Sequence, residues 1–511
     1  MKKYGSVFYI SLIVCIAFLG FGAIFPKNLE HFSNTFLDFI YDKLGWLFLL
    51  SVFILLIFCI YIVFSKYGKI KLGQDTDKPD YPTITWIAML FSAGIGISLV
   101  FWGVAEPVSY YVNPPFGEGS TKESAERAMQ FVYLHWGVSA WACYAFVGAC
   151  LAYFQFRKKL PATMSSAFHP LIGDRIYGPI GKTIDVVVML SVVVGISTSL
   201  GFGALQINSG MEYQWGLINT PWMQMVIIAV VTLIYLWSAS TGIQRGIKYL
   251  SNTNIILAFI LILSIFFLGP TQGIMKIFFQ GIGDYANNFL GMSFRTEPYG
   301  DGSWIASWTL FYFGWWIAWA PLVGSFVARI SKGRTLREFM MGALFIPVLC
   351  SFFWFAVLGG SALDMIQNQG QTALANSVVA DVTAALFDFI SYFPLSGVIS
   401  IVGMVLIFIF FITSADSAIF VLGMMSENGN QNPRNFTKLT WGVIIALVSA
   451  VLIVTGGLQG LQSALVAMAV PLSIVLLSMC YSMFKGLRKD NQTKTQSNDS
   501  HSRGGISEKS S

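Results

Sequence analysis

Charge is what this sequence has least of. Only 11% of its 511 residues are Asp, Glu, Lys or Arg, where a soluble domain carries about a quarter. Hydrophobic residues make up 55%, and the mean hydropathy is +0.66. That balance excludes a soluble globular chain and leaves a polytopic membrane protein. Histidine is also scarce, with four in the whole chain, and there is no HExxH, phosphate-binding loop or nucleophile elbow, so the chain does not read as an enzyme. The six cysteines (Cys15, Cys59, Cys143, Cys150, Cys350, Cys480) all fall inside apolar runs, where free Cys behaves as a small hydrophobe. Neither a disulfide framework nor a metal-ligand spacing results, and no cofactor is implied.

What is present is length of apolar sequence. Crossing roughly 30 Å of hydrocarbon takes about 20 residues. About twelve such runs centre on Ile13, Leu56, Ser92, Tyr144, Val192, Ile228, Ile260, Trp315, Leu349, Ile409, Ala446 and Leu472. The first follows Lys2 and Lys3 as a secretory signal would, but it lacks a small-residue cleavage site and further spans follow, so it is expected to remain as a helix. With the N-terminus placed in the cytoplasm, inner segments hold 25 of the 31 basic residues and outer loops hold only Lys27, Lys43, Lys122, Arg127, Lys276 and Arg295. This asymmetry predicts a multi-pass cell-membrane protein with both termini cytoplasmic. The net charge of +6 then reports orientation, and no nucleic acid partner is called for.

Two stretches do not read as spans. Ile274 to Ser293 mixes apolar residues with Lys276, Asp284 and two Asn, which suits an amphipathic helix in the membrane interface. From Lys489 onward the chain is polar and Ser-rich, the composition of a disordered tail. Helix-breaking signals recur five spans apart: Gly94-Ile95-Gly96-Ile97-Ser98 in the third span, and Gly314 and Pro321 in the eighth. Two glycines at i, i+2 cannot share a helix face as packing glycines would, which favours a broken helix at the first of these. The offset predicts an all-α fold with a five-plus-five inverted-repeat core of the sodium-symporter kind. Its divisions are two extra helices over 1–80, repeats over 81–271 and 301–486, an interfacial linker over 272–300 and a tail over 487–511.

The eighth span carries the densest aromatic sequence. At about 100° per residue, Trp304, Trp308, Phe311, Trp315 and Trp319 form a stripe about 80° wide, with Trp316 about 60° beyond its edge. Tryptophan gathers at membrane interfaces, which suits Trp304 and Trp308, but Trp315 to Trp319 lie near mid-depth. In the fourth span, Trp136, Trp141 and Tyr144 fall on one broad face of a regular helix. Packing explains such rings singly; two facing aromatic helices can instead box a quaternary ammonium, which has no hydrogen-bond donor and is held through ring faces. In the tenth span Phe410, Thr413, Ser414 and Ser417 share a face about 100° wide. The Thr413 and Ser414 hydroxyls either bond back to their own helix or, with carbonyls freed in the third span, bind Na⁺. Asp416 is a functional candidate as an acid among apolar residues, though about 110° off the Thr/Ser face. Neither the polar lining of a channel pore nor the acid, base and metal cluster of an enzyme is visible, and the tails are too short for a receptor's soluble domain.

The stretch FYFGWWIAWAPLVGSFVARISKGRTLREF (Phe311 to Phe339) resembles the betaine/choline/carnitine transporters, as do SAGIGISLVFWGVAEP (Ser92 to Pro107), HWGVSAWACY (His135 to Tyr144), GISTSLGFGALQI (Gly195 to Ile207) and TSADS (Thr413 to Ser417). The resemblance implies a homotrimer in membrane lipid that imports quaternary-ammonium osmoprotectants, glycine betaine or choline. It places a substrate box on Trp136, Trp141, Tyr144 and Trp316, with Trp315, Trp319 and Phe311 lining the path. It places a sodium site on the Thr413 and Ser414 hydroxyls and the backbone at Ser92, Ile95 and Phe410. The family's sodium-independent exchangers of carnitine-like compounds, the alternative function, use an Arg in the fifth span and a Met in the eighth. Neither span contains one here. The last glycine of the family's GxGxG motif is Ser98, at a position that influences substrate choice. The threonines of a second sodium site align with Val192 and Ile196.

Overall fold

A computed structural model of the chain describes the backbone of residues 5–94, 96–241 and 244–507; side chains at 91–95, 241–248 and beyond 492 are outside that description. Among the described residues, ten helices are long and apolar enough to cross a membrane. The twelve expected spans are recovered from these ten for two physical reasons. The third span is two short helices, Thr83–Gly94 and Ile97–Val112, each too short to cross alone. The last helix runs Asn435–Ser507 as one element, far longer than a bilayer is thick at 1.5 Å per residue. At Gly457 (φ 53°, ψ −134°) it leaves helical geometry, a left-handed conformation that favours glycine, and this bend divides it into two passes.

The third span breaks where its glycines predict. One half ends at Gly94, the next begins at Ile97, and Gly96 between them is extended (φ −152°, ψ −176°). Ile95 lies outside the described residues. The fourth span differs from expectation. Lys122–Trp136 and Val138–Ala152 are separate helices meeting at Gly137 (φ −88°, ψ −146°), so Trp136 and Trp141 do not sit on one regular helix. A Cβ at position 137 would lie 2.3 Å from the Tyr133 carbonyl oxygen and 2.9 Å from the Tyr285 hydroxyl, so the bend requires glycine. The eighth span carries no break at Gly314. It passes through a π-helical turn, Ala306–Leu310, into a continuous helix, Phe311–Arg329, that accommodates Pro321. The π-turn offsets Trp304 and Trp308 from the rings deeper in the span.

The amphipathic segment is a helix, Thr271–Ser293, burying Ile274, Gly281, Tyr285 and Met292. It braces the bent fourth span from outside: Tyr285 packs edge-on against Phe352 (5.2 Å), which stacks on Tyr133 (4.0 Å). At the other end of the chain, residues 487–492 differ from the tail that composition suggests. Leu487 is fully buried, and Asp490 accepts hydrogen bonds from Tyr153 and Arg157 (both 2.9 Å) and from Lys158. These contacts hold the last helix against the basic end of the fourth span.

The ninth span fixes the outer half of the third. Its own π-turn, Ala356–Gly360, crosses the third span where Pro107 leaves the Gly103 carbonyl without an N–H partner. A Cβ on Gly359 would stand 2.3 Å from Pro107 Cγ and 3.0 Å from the Gly103 oxygen. Gly359→Ala is therefore expected to cost about 1–3 kcal/mol through overpacking, read as a lowered melting temperature in detergent. Gly283→Ala, on the amphipathic helix with nothing within 4 Å, should melt as wild type does; equal melting of the two variants would contradict this crossing.

Candidate functional site

The interrupted spans surround a cavity of about 470 Å³. Gly96 and Ser98 line it from the third span, Trp136, Trp141 and Tyr144 from the fourth, and Trp315, Trp316 and Trp319 from the eighth. Phe410, Thr413 and Ser414 of the tenth span complete the lining, with Asp416 and Ser417 farther along. The residues expected for substrate and for sodium thus share one cavity. The exceptions are Phe311, which packs behind it against Trp102 and Trp315, and Ser92 and Ile95, whose side chains fall outside the described residues.

The fourth and eighth spans present rings whose planes meet near right angles, as the walls of a box do. Trp136 and Trp316 are 4.9 Å apart at 66°, Tyr144 and Trp316 6.2 Å at 84°, and Trp141 and Tyr144 5.4 Å at 90°. Trp315 stacks on Trp316 (5.3 Å, 17°), extending that wall. The Gly137 bend turns the Trp136 ring from one helical segment toward the same space as Trp141 and Tyr144 from the next. The indole N–H groups of Trp315, Trp316 and Trp319 are buried without hydrogen-bond partners. A buried unpaired donor costs about 1–3 kcal/mol; these three nitrogens are fully enclosed, so the rings rather than their N–H groups face the cavity.

One end of the cavity is shut by an aromatic layer. Trp308 packs against Trp102 (5.6 Å) and Tyr110 (4.7 Å), and Trp304 against Phe131 (4.9 Å). Trp304 and Trp308, which the sequence suggests as interface residues, pack within this layer, and the Trp304 N–H is anchored on the Asn113 carbonyl (2.8 Å). The other end runs out past Gln155, Arg329 and Gln431, toward the loops that carry Arg157, Lys158, Lys332 and Arg334.

Beside the cavity, the Thr413 hydroxyl donates to the Ile409 carbonyl (3.0 Å) and accepts from the Asn254 amide (3.2 Å). The back-bond to its own helix is present, yet it engages only the hydroxyl's hydrogen; an oxygen lone pair remains for a cation. Asn254 of the seventh span went unremarked in sequence. It is 4% exposed, lines the cavity, and its Oδ1 has no partner. An amide in an apolar span was the available signal.

A second cluster also escaped sequence reasoning. Glu106 is fully buried, accepts from Trp136 Nε1 (2.7 Å) and the Tyr312 hydroxyl (2.6 Å), and lies 3.1 Å from His135 Nδ1. Tyr110 OH lies 2.9 Å from the same His135 nitrogen, and Thr309 lies 3.1 Å from His135 Nε2. The rule that singles out Asp416, an acid inside an apolar run, applies equally to Glu106.

With this geometry in place, comparison with known proteins is direct. A family model described as BCCT, betaine/carnitine/choline family transporter, matches residues 6–492. The chain is 46% identical over 495 residues to the glycine betaine transporter OpuD of Bacillus subtilis (strain 168), covering 96% of each chain. It is 41% identical over 492 residues to the ectoine/hydroxyectoine transporter of Virgibacillus pantothenticus, covering 96% of this chain and 98% of that one. It is 36% identical over 492 residues to the osmo-independent choline transporter BetT1 of Acinetobacter baylyi (strain ATCC 33305 / BD413 / ADP1), covering 95% and 94%. An aromatic-walled cavity between interrupted helices, and matches that run almost end to end on both sides, lead to one conclusion: the chain belongs to the betaine/carnitine/choline transporter family.

Proposed function

We propose that this protein imports glycine betaine, with choline as the second substrate reading, by sodium symport across the cell membrane. The observation that carries the proposal is the ring box formed by Trp136, Trp141, Tyr144 and Trp316 at one wall of the cavity. Ring contacts crossing at 66° to 90° there turn negative ring faces on a methylated cation and replace hydration for a group that cannot donate hydrogen bonds. Ser98, at the cavity wall, adds a hydroxyl on the third span, and Phe311 holds Trp315 from behind. The similarity to the glycine betaine transporter OpuD supports the same assignment.

Coupling to sodium rests on the tenth span. The Thr413 and Ser414 hydroxyls and the Phe410 carbonyl, with the Ser92 and Ile95 carbonyls that the family resemblance adds, would make an oxygen set suited to Na⁺; Ile95 lies outside the described residues. Asn254 Oδ1 adds a neutral oxygen to that set. Cation binding there would tie the tenth span to the broken third span and order the cavity wall that Gly96 and Ser98 provide. Each positive charge carried inward gains about 2.3 kcal/mol per 100 mV of membrane potential. By the distribution of basic loops, the open end past Gln155, Arg329 and Gln431 faces the cytoplasm and the aromatic layer seals the outside. This is an inward-facing stage of alternating access, with two five-helix inverted repeats rocking about the site. A homotrimer embedded in lipid completes this reading. The sodium-independent exchange of carnitine-like compounds is disfavoured by the fifth and eighth spans, which lack the Arg and Met that replace the ion.

Two measurements test these assignments. Trp316→Ala should weaken apparent affinity for labelled glycine betaine by about 5- to 30-fold, the equivalent of about 1–2 kcal/mol of cation–π contact; an unchanged affinity removes Trp316 from the box. Thr413→Ala should raise the sodium concentration for half-maximal uptake several-fold while binding of glycine betaine at saturating sodium is retained. A sodium dependence identical to wild type would place the coupling ion elsewhere.

A further inference from the structure

Glu106 reaches the substrate box from behind. It stands on Ile97–Val112, the half of the third span that starts at the break, and its Oε2 accepts the Trp136 indole N–H at 2.7 Å and the Tyr312 hydroxyl at 2.6 Å. Its Oε1 faces His135 Nδ1 at 3.1 Å. Among the described residues it has no Lys or Arg within ion-pair distance; His135 is its sole ion-pair partner. A carboxylate can accept the Trp136 and Tyr312 donors at once and still present its second oxygen to His135. Trp136 has its N–H bonded, whereas the N–H groups of Trp315, Trp316 and Trp319 have no partner.

Burying a carboxylate costs several kcal/mol, and apolar residues of similar volume often serve stability as well or better. A structural role alone therefore does not explain an acid here. Its effect on Trp136 does. A hydrogen bond from the indole N–H to an anion fixes the ring plane about its tether. It also shifts electron density onto the ring, and a more negative ring face binds cations more strongly. The indole N–H points to the carboxylate while the ring lines the cavity, so the two effects reach the substrate through one residue.

We propose that Glu106 is a positioning residue of the cation site: its buried carboxylate orients and polarises the Trp136 ring and so sets the affinity for a quaternary ammonium. The proposal rests on the functional reading above. It adds a consequence for coupling, because Glu106 and the cavity-lining Ser98 ride on the same half-helix, so any reordering of the broken third span moves the support of Trp136.

The test is a double-mutant cycle on the purified full-length chain, with glycine betaine binding followed by a labelled-ligand assay at saturating sodium. Glu106→Gln keeps the shape and an acceptor oxygen for Trp136 and Tyr312 but removes the charge. It should weaken binding about tenfold with a melting temperature close to wild type. In a Trp136→Phe background, which has no indole N–H, the same change should alter affinity less than about twofold, since coupled sites are non-additive. Wild-type affinity in Glu106→Gln, or an equal loss in both backgrounds, overturns the proposal. Should the Gln variant fail to fold, Glu106→Asp carries the test: the charge stays but retreats by about one C–C bond, 1.5 Å. Several-fold weaker binding is then expected, and unchanged affinity overturns it. If the wild-type protein binds neither glycine betaine nor choline, the functional reading itself has failed, an outcome distinct from intact binding that ignores Glu106.

Discussion

In hydrocarbon, every backbone N–H and C=O must find a partner, and non-helical backbone survives only where it is buried in protein or lines a cavity. Two spans of this protein nevertheless stop being helical within the apolar core, at Gly96 and at Gly137. The rest of the structure is arranged around those two interruptions. The first opens the third span at the cavity that Thr413, Ser414 and Asn254 also line. The second turns Trp136 toward Trp316 instead of continuing the line of Tyr133. Each is held in place by close contacts: Tyr133, Tyr285 and Phe352 leave no room for a side chain at Gly137, and the ninth span presses Gly359 onto Pro107.

The cavity that results is chemically divided. On one wall, ring faces meet at near right angles and supply negative potential without any formal charge. On another, hydroxyl and amide oxygens offer lone pairs. A methylated cation matches the first feature, and a small hard cation the second. Glu106 stands behind this arrangement as a buried carboxylate, joined through Tyr312, His135, Tyr110 and Thr309 to the third, fourth and eighth spans.

Much of this was legible in the sequence. Span positions, the break at Gly94 to Ser98 and the amphipathic helix follow from composition and local period, signals that a stretch of about 20 residues carries by itself; the choice of Trp316 and the pairing of the two aromatic spans into a site rest on the resemblance to the family. What was not legible depends on neighbours distant in the chain. Gly137 reads as one small residue in an apolar helix; only Tyr133, Tyr285 and Phe352 packed around it make a bend. The π-turn at Ala306–Leu310 adds no distinctive residue, so the stripe of Trp304 to Trp319 read as continuous when its outer and inner rings belong to different environments. Glu106, on the third span, gathers partners from the fourth and eighth, at no fixed spacing. The end of the last helix read as a polar tail because Asp490 finds Tyr153, Arg157 and Lys158 only once the fourth span is folded beside it.

The central claim is that cation recognition by the rings and sodium binding by the oxygen set are one coupled event. The most direct measurement is uptake of labelled glycine betaine by proteoliposomes holding the purified protein, with an inward sodium gradient, an inside-negative potential, or neither. Coupling predicts accumulation above the external concentration only when sodium is present outside, further raised by the potential. Equal accumulation in sodium-free liposomes would contradict it.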